Sequence, residues 1–149
     1  MENNILVERV NDTADLENVF AIRRKVFVEE QECPPELEWE YEDESIHFLA
    51  TVNQTPAGAC RWRKTEKGYK LERFAVLAEF RGIGVGQKLV EKVLEDLPAD
   101  AGYVYLHAQL SAIGLYQKFN FNKVGGQFEE AGIQHFKMVL NEPENNQNG

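Results

Sequence analysis

This 149-residue chain has little sulfur, little histidine and no long apolar run, and each shortage closes off a class of protein. Its apolar stretches fall far short of the roughly 18 residues that a membrane-spanning helix needs. Met1-Glu2-Asn3-Asn4 has neither the basic start nor the apolar run of a secretory signal. Only two cysteines occur, Cys33 and Cys60, and their separation of 27 positions fits neither a Cys-x-x-Cys motif nor a disulfide framework. A reducing cytoplasm is the expected setting. His47, His107 and His135 are dispersed, with no cysteine or carboxylate at ligand spacing, so no metal site is expected.

Positive charge is also short, with 16 Lys and Arg against 25 Asp and Glu, for a net charge of −9. The excess is local. Between Glu29 and Glu44 there are nine acids and no Lys or Arg, which leaves the rest of the chain balanced at 16 of each sign. Such a field repels a phosphate backbone, so nucleic acid is not an expected partner. It attracts a cationic one. The alternative is a solvated acidic loop that serves solubility.

What is present is the composition of one soluble domain, 43% hydrophobic and 28% charged, with no internal repeat and no linker. A single domain over residues 1–141 and a polar, disordered tail over 142–149 are expected. Residues 4–10 read as an edge strand. Asn11-Asp12-Thr13 then offers N-caps for a helix carrying Leu16, Val19, Phe20, Arg23 and Phe27. Strands are expected over His47–Val52, Ala57–Arg63 and Tyr69–Val76, with turns at Asn53–Pro56 and Lys67-Gly68. An amphipathic helix follows with Ile83, Leu89, Val90, Val93, Leu94 and Leu97 on its apolar face. Tyr103–Ala108 is apolar enough to be an interior strand, Ala112–Phe119 a short helix, and Phe121–Val124 and Gln134–Leu140 the last strands. The order predicts an α/β fold with one βαβ crossover in a mixed sheet.

The chemistry is concentrated at Arg81-Gly82-Ile83-Gly84-Val85-Gly86, between a strand and the amphipathic helix. A helix N-terminus presents bare N–H groups and about half a positive charge, and glycines let an anion approach the backbone. The dinucleotide fingerprint G-x-G-x-x-G needs glycine at position 87, where this chain has Gln87; Gly86-Gln87-Lys88 also fails the P-loop pattern.

With those alternatives weakened, the sequence resembles the GNAT superfamily of N-acetyltransferases, whose central motif R/Q-x-x-G-x-G/A matches Arg81 to Gly86 in full. The strand Leu71–Val76 and the segment from Ala112 to Phe121 are similar to family segments too, with Asn120 in place of the usual glycine. Residues Arg23–Gln31 and Leu106–Gln109 resemble a bacterial branch, so the likeness covers about residues 5–140. It implies a six- to seven-stranded mixed sheet flanked by about four helices, and transfer of an acetyl group from acetyl-CoA to a primary amine through a tetrahedral intermediate.

By the same resemblance, Phe74, Ala75 and Val76 meet the pantetheine arm, and Arg81, Gly82, Ile83, Gly84, Val85, Gly86 and Gln87 take the pyrophosphate. Ser111 and Tyr116 complete the cofactor site. Tyr116 occupies the position of the acid that protonates the leaving thiolate. Glu72 is the first candidate base and His107 the second, because a neutral amine is needed at neutral pH. The acceptor is expected to be a small cationic amine or a lysine side chain, drawn by Glu36–Glu44. No membrane partner is expected, and homodimers are common in the family. A non-catalytic acyl-CoA-binding or regulatory module of the same fold is the alternative.

Overall fold

The computed structural model describes residues 4–32 and 45–141. The readings placed on Glu36–Glu44, on Cys33 and on the 142–149 tail therefore lie outside the described residues.

Seven strands form one sheet: β1 (Ile5–Arg9), β2 (Ser45–Val52), β3 (Thr55–Lys64), β4 (Tyr69–Val76), β5 (Val104–Gln109), β6 (Phe121–Glu130) and β7 (Ile133–Leu140). Their order is β1-β2-β3-β4-β5-β7-β6, with β4 and β5 parallel and the remaining neighbours antiparallel. Short turns dictate the hairpins. Asn53 and Gln54 both take positive φ, 50° and 75°, which suits a two-residue link between right-twisted strands. Pro56 thus falls inside β3 and not in the turn, next to a register shift at Ala50/Thr51.

Helices α1 (Thr13–Arg23), α2 (Val85–Asp96) and α3 (Ile113–Gln117) are the α-helices among the described residues, against about four expected. Asp12 caps α1 through a 2.8 Å bond from the Asp15 N–H. Beyond Arg23 the coil widens into a π-helical segment, Arg24–Glu30, a rare form often found at functional sites. α2 begins at Val85, so Ile83 lies in the loop before it at 38% exposed, and Val85 takes its expected place in the core.

The two faces of the sheet are covered unequally. On one, Val85, Leu89, Val90 and Val93 of α2 are almost fully buried, each stabilising the fold by about 1.5–3 kcal/mol. Gly58 permits this approach, since a Cβ there would stand 2.9 Å from the Ala75 carbonyl oxygen and 3.0 Å from Val85 Cγ1. On the other face, Val19, Ile22 and Val26 pack on Leu49, Ala59 and Ala75. That cover stops at β4.

Candidate active site

The parallel pairing of β4 and β5 is short: Tyr69 with Val104, Lys70 with Tyr105, Leu71 with Leu106. Beyond Leu71 the strands part, and a cavity of about 630 Å³ opens between them, within the range of ligand sites. A bulge shapes its wall. Against β3, one residue too many fits between Glu72 (opposite Arg61) and Ala75 (opposite Ala59), and Arg73 absorbs it at φ 60°. Without the bulge Phe74 would share the face of Glu72. With it, Phe74 turns to the α2 side and meets Tyr116, ring centres 5.5 Å apart.

Backbone groups face into this opening. The Leu77 N–H donates to the Ala57 carbonyl of β3 at 2.9 Å, so by alternation the N–H and C=O of Val76 point away from β3 into the slot. One end of the slot is the glycine loop. Gly84, at φ 100°, is the N-cap of α2 and supplies no side-chain cap, so the first N–H groups of the helix have no partner within it. A Cβ added at Gly82 or Gly84 would meet nothing within 4 Å, so the space above the loop is open. Gly86 is small for another reason: its Cβ would crowd Leu115 of α3 at 3.3 Å.

Phe74, Ala75, Val76, Arg81, Gly82, Gly86, Ser111, Tyr116, Glu72 and His107 all line the cavity, whereas Ile83, Gly84, Val85 and Gln87 do not. The Arg81 side chain is turned away from the anion role. Its Nε donates to the Val76 carbonyl at 2.9 Å, and its two terminal nitrogens grip Glu30 at 2.8 Å each. This fork holds the Glu30 carboxyl below its ordinary range. A second tie, between the amides of Gln31 and Gln109, joins the end of the π-helical segment to β5.

Tyr116 is buried, and burial pushes its phenol well above the ordinary value, so it stays protonated and keeps an O–H to donate. Glu72 is committed elsewhere. Its carboxylate accepts from Arg61 Nε and Arg63 Nε at 2.8 Å each and lies 3.3 Å from Lys70 Nζ. Burial alone would raise its pKa, but Arg61, Lys70 and Arg63 outweigh it and hold the group at about 2. A carboxylate so stabilised is a poor proton acceptor at neutral pH, which sets the geometry against the base role expected for it.

His107 has different company. Its Nδ1 lies 2.8 Å from Glu130 Oε1, and the Phe128 ring stands edge-on to it at 5.1 Å. The His107 hydrogen bond lowers the Glu130 pKa against the opposing effect of burial, with help from Lys70 and His135. Glu130 and His135 also line the cavity. Neither has a role in the site on sequence alone: the strand expected over Phe121–Val124 in fact runs on to Glu130 through a register shift between Val124 and Phe128, and His135 lies on the expected last strand. Among the described residues no group of three His, Cys, Asp or Glu could hold a metal ion. No described helix is long and apolar enough to cross a membrane.

A splayed parallel pair and a bulged wall strand define a slot that ends at the glycine loop. The profile of the acetyltransferase (GNAT) domain family matches residues 10–142. The chain is 39% identical over 128 residues to the uncharacterized N-acetyltransferase YjcF of Bacillus subtilis, covering 83% of this chain and 91% of that protein. The crystal structure of Escherichia coli ElaA is similar with a TM-score of 0.77 and 27% identity, over 92% of this chain and 99% of that one. A GNAT family acetyltransferase from Elizabethkingia anophelis, crystallised with acetyl-CoA bound, shares the fold at a TM-score of 0.69 and 17% identity, over 92% and 97% of the two chains. The mixed seven-stranded sheet is the acyl-CoA N-acyltransferase fold. The chain belongs to the GNAT acetyltransferase family and is by class an acyltransferase.

Proposed function

We propose that the protein transfers an acetyl group from acetyl-CoA to a primary amine, with His107 as general base and Tyr116 as general acid. The observation that carries this reading is the slot itself, where the Val76 N–H faces away from β3, the space above Gly82 and Gly84 is open and Tyr116 lines the wall. Gly82, Gly84 and the first N–H groups of α2 would hold the pyrophosphate; Phe74 and Val76 would pair with the pantetheine arm. Acetyl-CoA supplies a thioester whose carbonyl carbon is open to attack.

His107 takes the proton of the amine as the new C–N bond forms. Tyr116 gives its proton to the sulfur as the C–S bond breaks. The products are an amide and the thiol of CoA, and proton exchange with solvent restores both side chains. The Val76 N–H would polarise the thioester oxygen as negative charge gathers on it. Glu72 keeps Arg61, Arg63 and Lys70 in place and does not act as the base. The net charge of −9 favours a cationic acceptor, a small amine or a lysine side chain.

The test is thermal denaturation with acetyl-CoA, CoA, NAD and ATP, followed by thiol release in the presence of a panel of primary amines. A ligand at 100 times its Kd stabilises by about 2.7 kcal/mol, and only acetyl-CoA and CoA should do so. Stabilisation without thiol release for any amine would favour a binding module. Stabilisation by NAD or ATP alone would overturn the reading.

A further inference from the structure

The His107 imidazole can serve as a base only if one ring nitrogen is bare, and which one is bare is a choice between tautomers. Glu130 makes that choice. Its carboxyl is held below the ordinary carboxylate range first by the His107 hydrogen bond, with Lys70 and His135 adding to it, so it is an anion and only accepts. In the neutral imidazole that a base requires, the 2.8 Å contact then has Nδ1–H of His107 donating to Glu130 Oε1, and the bare nitrogen is Nε2.

The fold brings Glu130 there by a specific route. It is the last residue of β6 before the turn Ala131-Gly132, paired with Ile133 of β7. Ala131 and Gly132 both take positive φ, 51° and 81°, as a two-residue turn requires. For alanine that conformation costs about 1–2 kcal/mol, so the surroundings must fix it. They do so with aromatic stacking and a hydrogen bond. His135 Nδ1–H donates to the Ile133 carbonyl at 2.7 Å, its ring stacks on Phe128 at 5.8 Å, and Phe128 in turn stands against His107. The cation opposite His107 in the sheet does not compete for Glu130: Lys137 lays its Nζ over the rings of Tyr103 and Tyr105, at 5.3 Å and 5.1 Å.

We propose that Glu130 is a positioning residue for the transfer, borne on the β6–β7 hairpin, which holds His107 in the tautomer that offers Nε2 to the acceptor amine. This rests on His107 being the base. The arrangement is that of a base oriented by a carboxylate, with the carboxylate drawn from a hairpin tip and not from the strand that carries the base.

The test combines a spectroscopic readout with kinetics on the full chain. Long-range proton–nitrogen spectra of the imidazoles, assigned with His107→Gln, should report Nδ1–H for His107 in the parent. In Glu130→Leu that tautomer should lose its dominance, and kcat for acetyl transfer to the best amine of the panel should fall roughly a hundredfold, with the acetyl-CoA KM unchanged. Glu130→Gln keeps an acceptor oxygen at the same reach, so it should retain Nδ1–H and lose less in kcat. The Glu130→Leu/His107→Gln double variant should be no slower than His107→Gln alone, since the two side chains act as a unit. If His107→Gln keeps parental turnover, the base assignment falls and this proposal with it. If His107→Gln is slow while Glu130→Leu keeps both Nδ1–H and kcat, the positioning role alone is overturned. Equal losses in the Leu and Gln variants with an unchanged tautomer would also overturn it, by making Glu130 structural.

Discussion

Glu72 on β4 and Glu130 on β6 line the same slot, each beside a basic side chain. Around Glu72 stand Arg61, Arg63 and Lys70, with Arg61 buried at 1% side-chain exposure. Around Glu130 the hydrogen-bonding partner is the imidazole of His107, and the carboxylate is 41% exposed. Three permanent cations fix a carboxylate in one state, so it can hold structure but exchanges no proton near neutrality. An imidazole partner holds its carboxylate through one ring nitrogen and leaves the other for a second contact. Proximity to a slot therefore does not make a carboxylate a base; the number and kind of its partners decide.

The largest expected effect breaks the structural half of this contrast. Glu72→Leu breaks the ion pair with buried Arg61 and should destabilise the fold by about 3–5 kcal/mol, read from urea denaturation. A loss below 1 kcal/mol would mean that the ion cluster does not hold the strands together.

Acid titration probes the same group without mutation. The folded pKa of Glu72, about 2, lies below its ordinary 4.5, so its contribution is fully present above pH 4.5 and is lost as pH falls toward 2. At 1.36 kcal/mol per unit this is on the order of 3 kcal/mol, and Glu72→Gln should flatten that part of the stability profile. An unchanged acid limb in the variant would assign the loss to other carboxylates.

Kinetics sharpen the other half. His107→Gln should lower kcat for amine acetylation roughly a hundredfold while acetyl-CoA binding, followed by thermal shift, stays intact. Measured per folded molecule, Glu72→Gln should lose much less, and the reverse ranking would return the base role to Glu72. The smallest effect is expected at the donor side: Tyr116→Phe removes one proton donor to sulfur and should slow turnover about tenfold. Full turnover in that variant would take the acid role from Tyr116.

Much of the frame was legible in the chain. Apolar composition between turn residues placed the core strands, helical periodicity placed α2, and Asn120 takes φ 72° where the family has glycine. Legibility failed where a local signal was ambiguous. The strand expected to end at Val124 passes through an irregular stretch, with Gly125 at φ 81°, and resumes beyond it. Glu72 and Arg81 looked available for chemistry because their partners, Arg61 and Glu30, are 11 and 51 positions away in sequence.

By itself the sequence determined the glycine loop, the helix that follows it and the aromatic at position 116, because backbone conformation and helical periodicity are written in neighbouring residues. Which carboxylate is spent in an ion cluster, and which is left to orient a histidine, was decided only by the sheet. Charge pairing depends on distances that exist only after β3, β4, β5 and β6 are brought side by side, and Coulombic and desolvation energies follow those distances and not the spacing along the chain.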